Sequence, residues 1–253
     1  MNRKFSWTAS VTALYVILIL AVHPIIYQDY YFNILNVKYL FYCACTIGML
    51  ILLGGYFIFT GAFKRIKLKL IPTDYAFLAF IVIATLSAAF SDFKYEAFWG
   101  NEGRFSGAFL LILYAASYFC VSRLLKFKSW FMDIALLSCM AVCIFGFTDY
   151  LGMDLLHFKV RLKTEHMGMF TSFIGNINMY TGLLSVYLGA ACLLWVSCPN
   201  KLRSIWYYVN VWVIFIALIT GRSDNAYLSL AAAFTFIPIY AFRTRQGIRR
   251  YVV

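Results

Sequence analysis

Apolar residues occupy this chain in long blocks broken by short polar stretches, without the alternation of a half-buried strand. The blocks cover about 6–26, 35–62, 72–90, 106–122, 130–148, 172–196, 205–220 and 224–242, each near the roughly 20 residues a helix needs to cross hydrocarbon. The pattern predicts an all-α fold, a polytopic transmembrane helical bundle of about eight spans, with residues 1–253 forming a single transmembrane domain. Only Gly221-Arg222-Ser223 separates the last two blocks before Asp224, which predicts a tight helical hairpin with its turn near the membrane surface. The apolar run after Arg3 and Lys4 exceeds a signal-peptide core and lacks a small-residue cleavage site, so it reads as the first span.

Composition supports lipid as the solvent. The 253 residues are 63% hydrophobic and 13% charged, about half the charge that a soluble domain needs to cover its surface. The net charge of +12 would point to nucleic acid in a soluble protein, but here its distribution carries the information. With the N-terminus inside, 15 of the 22 Lys and Arg residues fall in cytoplasmic segments, while eight of the ten acids fall outside, leaving only Asp74 and Asp133 within. This bias predicts both termini in the cytoplasm. Tyr27, Tyr30 and Tyr31 at an outer edge, and Trp130 and Trp206-Tyr207-Tyr208 at inner edges, read as interfacial anchors. The seven cysteines lack zinc or redox spacing and read as small apolar fillers.

Polar residues gather in three places, all expected on the outer side: Gly100 to Gly107 before the fourth span, Gly175-Asn176-Ile177-Asn178 at the sixth, and Thr220 to Asn225 between the seventh and eighth. One reading is local. Gly103, Gly107, Gly175 and Gly221 turn the chain, Asn176 and Asp224 start helices, and Asp224 neutralises Arg222. The other is anion capture. Helix starts carry free N–H groups and partial positive charge, to which Arg104 and Arg222 add bidentate donors, with Asn176 and Asn178 beside them. These four are the candidate diphosphate-binding residues. Glu165-His166, in the long outer loop from about 149 to 171, is a candidate for a general base with its orienting carboxylate. His157 reads as a surface residue and His23 as a helix-end residue. Phosphate-loop, metalloprotease, serine-hydrolase and dinucleotide fingerprints are absent from the sequence, so no cofactor or metal is expected.

At these three places the chain resembles the O-antigen ligase family, which includes bacterial surface-polysaccharide polymerases. Trp99-Gly100 through Arg104-Phe105-Ser106-Gly107 is similar to the family's early G…R…G stretch, and Gly175-Asn176-Ile177-Asn178 to its G-N-x-N segment. Leu218-Ile219-Thr220-Gly221-Arg222-Ser223 with Ala226-Tyr227-Leu228 is similar to its L-T-G-S-R-G-A-W-L turn. The resemblance implies metal-independent, inverting transfer of a glycan from undecaprenyl diphosphate to an acceptor hydroxyl on the outer face of the bacterial plasma membrane. It also implies that outer arginines hold the diphosphate and a histidine in a large late loop is the base. Two departures stand out. Arginine precedes serine in the turn here, with Asp224 and Asn225 where small residues are usual, and no position matches the family's late histidine. On this reading the chain corresponds to the N-terminal portion of the family architecture and its catalytic machinery is incomplete. The competing readings are a transporter or flippase of a lipid-linked or anionic substrate, and a non-catalytic membrane partner.

Overall fold

The structure, a computed structural model, describes residues 3–28, 33–61, 70–101, 103–164, 172–243 and 248. Among these residues there are helices and turns but no strands. In order they are α1 (Arg3–Ile17), α2 (Ile34–Thr60), α3 (Pro72–Ala89), α4 (Lys94–Trp99), α5 (Ala108–Leu124), α6 (Trp130–Tyr150), α7 (Ile177–Ser197), α8 (Lys201–Thr220) and α9 (Asp224–Ala241). A π-helical turn, Leu18–Val22, extends α1 toward Pro24, which has no N–H to continue it.

Each predicted apolar block coincides with most of one helix, and local chemistry sets where several of them begin. Pro72 opens α3, where its missing N–H costs nothing, and the Asp74 carboxylate reaches back to accept from the Ile71 N–H at 2.8 Å. Asn200 caps α8 by accepting from the Arg203 N–H at 3.1 Å, so this helix begins four residues before the expected 205. By contrast, α7 begins late. Ser172–Ile174 form a 3-10 turn, and Gly175, at φ +80°, breaks the chain before Asn176. The six-residue α4 was not anticipated, because one and a half turns leave no readable periodicity.

Among the described residues, five helices are by length and composition able to cross a membrane: α2, α3, α6, α7 and α8. The apolar segment Trp7–Val22 and α5 are shorter, and α9 opens on the polar pair Asp224-Asn225. These helices point to a membrane protein.

The chain forms two compact units: Met1–His23 with Leu35–Phe131, and Pro24–Ile34 with Met132–Val253. In the first, α1 runs antiparallel to α2. Trp7 stacks on Tyr56 near one end, Tyr15 and Thr46 share a hydrogen bond midway at 3.2 Å, and the Lys38 ammonium donates to the His23 carbonyl at the other end. Tyr15, Met49, Leu53, Phe57 and Leu124 form the core of α1, α2 and α5. Tyr42 and Ser117 bond across α2 and α5 at 3.0 Å. The start of α3 is fastened to the end of α5, where Asp74 pairs with Arg123 and accepts from the Tyr118 hydroxyl at 2.8 Å.

In the second unit α7 packs against both α8 and α9, and α6 to α9 alternate in direction. At one end Asp133 of α6 pairs with Arg203 at 2.6 Å and accepts from Tyr207 at 2.8 Å. There too Ser197 bonds Tyr240 at 3.1 Å. The opposite end holds Tyr150, the start of α7 and the turn between α8 and α9.

Candidate functional site

The predicted polar clusters are each built around a turn. In the first unit, residues 100–101 and 103–107 bring Gly100 and Gly107 close enough to touch through their backbones. A Cβ on Gly107 would lie 2.3 Å from the Phe98 carbonyl oxygen and 2.4 Å from the Gly100 nitrogen, so only glycine fits. Gly107 is also the N-cap of α5. Gly103, at φ +82°, has open space around it and serves the turn through its backbone alone. The Asn101 carbonyl accepts from the N–H groups of Arg104 (3.1 Å) and Phe105 (2.9 Å), and Phe105 stacks on Tyr39 with ring centres 4.4 Å apart. The Arg104 side chain is exposed, and among the described residues it makes no hydrogen bond or ion pair.

In the second unit the other two clusters meet. The Asn176 Oδ1 accepts from the N–H groups of Asn178 (2.9 Å) and Met179 (3.4 Å), closing the start of α7 as a cap does. Two donors that an anion would use are thereby engaged by Asn176. The Asn178 Oδ1 in turn accepts from the Ser223 hydroxyl at 2.9 Å, joining the starts of α7 and α9. Thr181 approaches Ser223 at 3.4 Å. One step deeper, Ser185 donates to Ser229 at 2.5 Å. Hydroxyl and amide groups thus run down the α7–α9 seam, each satisfied by its neighbour.

The turn between α8 and α9 does not take its left-handed step at its glycine. Its left-handed residue is Arg222, at φ +46°, while Gly221 is ordinary right-handed backbone at φ −66°. Glycine serves there for size, since a Cβ would meet the Thr181 methyl at 3.0 Å. A left-handed conformation costs a non-glycine residue roughly 1–2 kcal/mol. It carries the exposed Arg222 side chain toward Tyr150, whose hydroxyl lies 3.4 Å from Nη2 and whose ring centre is 5.8 Å from the guanidinium carbon. The neutralisation by Asp224 that the local reading offers is not seen: no ion pair joins the two, and Asp224, exposed, opens α9.

Beside this turn, the described part of the long loop is tied to α6. Asp149 pairs with Lys159 at 2.5 Å and accepts from the Ser172 N–H at 3.0 Å. Asp154 accepts from the N–H groups of Phe158 and Lys159, both at 2.8 Å. Phe158 is buried among Tyr27, Phe145 and Phe173. Tyr150 and the Asp149–Lys159 clamp were not among the sequence candidates, since 72 residues separate Tyr150 from Arg222 and no spacing rule spans such a gap. The base candidates Glu165 and His166 lie outside the described residues. His157, exposed in the loop at φ +55°, is described.

Chemically, both turns offer an exposed guanidinium next to a helix start, an arrangement suited to phosphate oxygens. Arg104 belongs to the first unit and Arg222 to the second. Among the described residues, His, Cys, Asp and Glu form no group able to hold a metal ion. Comparison with known protein families, with curated proteins and with solved structures finds no match to this chain.

Proposed function

We propose that this chain is an eight-span protein of the bacterial plasma membrane, with both termini cytoplasmic. In this reading it binds the diphosphate of an undecaprenyl-linked glycan at its outer surface and serves glycan transfer to an acceptor hydroxyl, as O-antigen ligases and polymerases do. The observation that carries the reading is Arg222: an exposed cation without an acid partner among the described residues, held in a costly backbone conformation beside two helix starts. Strain of this kind persists where the surroundings enforce it, and function is one reason for it. Arg104 is a like cation in the other unit. A diphosphate leaves more readily when cations offset its growing charge, and Asn178 supplies a neighbouring amide to Arg222. The seam of satisfied hydroxyls beneath Arg222 holds the turn in place. The acceptor's base belongs to Glu165-His166 or to a residue supplied by another chain.

The test is binding of undecaprenyl diphosphate to the protein in lipid nanodiscs. Hydrogen bonds to charged groups are worth roughly 1.5–3 kcal/mol. Arg104→Ala and Arg222→Ala are therefore each expected to weaken binding by about tenfold or more. Unchanged affinity in the double variant removes the proposed site. Topology is tested by labelling single cysteines from outside: positions Gly103, Glu165 and Ser223 react and positions Ile66 and Gln246 do not. The reverse pattern overturns the orientation.

A further inference from the structure

The segment joining α3 to α5 carries a surface that the anion-binding reading leaves unused. It contains Phe90, Phe93, Tyr95, Phe98 and Trp99, all exposed; the first three are 86%, 72% and 71% accessible. Aromatic rings at this density in open water are unfavourable for a short connection. They are held in place on the protein. Trp99 and Phe98 lean on Phe109 of α5, with ring centres 5.0 and 6.1 Å away, and the Gly100–Gly107 contact locks the return of the chain. The six residues of α4 span only about 9 Å. The patch therefore stays at the end of α3, whose own flank is open and apolar, with Phe80, Val82, Ile83 and Leu86 each more than half accessible.

We infer that α4 and its flanks form an interfacial anchor, lying in the lipid headgroup layer where α3 leaves the hydrocarbon. Three observations select this occupant over a protein partner. The patch continues the exposed apolar flank of a helix long enough to cross a bilayer, so both surfaces meet one solvent. Its rings are interleaved with charges of alternating sign, Asp92, Lys94 and Glu96, which matches a zwitterionic headgroup layer and no singly charged surface. Its Trp and Tyr are residues that favour this depth, having apolar bodies and polar tips. The consequence is positional: the anchor holds the Arg104 turn at the level of lipid phosphates. The inference needs α3 to lie in a bilayer but does not need glycan transfer, so either is able to fail without the other.

The experiment places nitroxide labels at Phe93→Cys and Tyr95→Cys in a background with the native cysteines replaced by alanine, reconstituted in phosphatidylcholine vesicles. Collision with oxygen and with a water-soluble nickel chelate reports depth. Labels at Ile83→Cys and Asn101→Cys mark the hydrocarbon and the exposed turn. Positions 93 and 95 are expected to read shallow membrane depth, between the two markers. Water-like values at both overturn the anchor. So do labels shielded from both reagents, which would signal a protein covering the patch. A second measurement retains all native cysteines: the quenching lost on Trp99→Phe is expected to be greater for lipids brominated near the headgroup than near the chain end. Equal or absent loss overturns the inference.

Discussion

Helix α5 has an arginine near each end, and so does α8, yet the two ends of each helix treat theirs differently. Arg123, in the last turn of α5, pairs with the buried Asp74, which also takes the Tyr118 hydroxyl. Arg203, in the first turn of α8, pairs with Asp133, which also takes the Tyr207 hydroxyl. The two clamps share a recipe of aspartate, arginine and tyrosine, and each joins neighbouring helices. At the opposite ends, Arg104 and Arg222 are exposed and pair with no acid among the described residues. A cation that a structure needs for its own cohesion is given a counter-charge, because a covered charge without one is costly. Of these four arginines, Arg104 and Arg222 are thus the two left open to an anion from solution.

Removing a clamp acid is the strongest challenge to this contrast. Asp74→Ala removes the acid that pairs with Arg123, and frees the Tyr118 hydroxyl and the Ile71 N–H. It is expected to lower the thermal unfolding midpoint more than any glycine, cap or surface-arginine substitution. Arg123→Met in the same chain should recover part of the loss, since a missing pair is tolerated better than half of one. A midpoint equal to the unmodified protein's would show that the clamp does not hold α3 to α5.

Next in size is a pair of glycine variants in the turn that presents Arg104. Gly107→Ala forces a Cβ against the Phe98 carbonyl and should cost on the order of 3 kcal/mol, the upper range for overpacking. Gly103→Ala meets open space but keeps its left-handed backbone, and should cost about 1 kcal/mol. Equal costs in denaturant unfolding would contradict the backbone contact. Smaller again is Asn176→Ala, which deletes the α7 cap at about 1 kcal/mol. Asn176→Asp should retain most of that stability, and the difference separates capping from any role in binding. The smallest effect on stability belongs to Arg104→Ala and Arg222→Ala, within about 0.5 kcal/mol each. Both should nonetheless lose diphosphate binding. Marked destabilisation by either would place it with Arg123 and Arg203 and dissolve the contrast.

The order of helices follows from the chain alone. Lipid-length apolar blocks admit little besides helices, because backbone groups in hydrocarbon must bond within their own segment. Pro72, Asn176 and Gly107 mark helix starts by local chemistry that reaches three or four residues. For the same reason the sequence pointed to Asn176 and Gly175 as a cap and a turn. It missed α4, which is too short for a period to register, and it read Gly221 as a turning residue where the left-handed position belongs to Arg222.

What only the tertiary structure decided are the pairings between distant residues. Asp74 and Arg123 are 49 positions apart, and Asp133 and Arg203 are 70; the sequence could place these acids near basic loops but not choose their partners. Nor could it tell that Asp224, two residues from Arg222, would leave it unpaired while Tyr150 reached it from α6. The physical reason is one of range. Hydrogen-bonding need and hydrophobicity act along the chain and can be read there, whereas a side chain's partner depends on which helices lie side by side and how each is rotated.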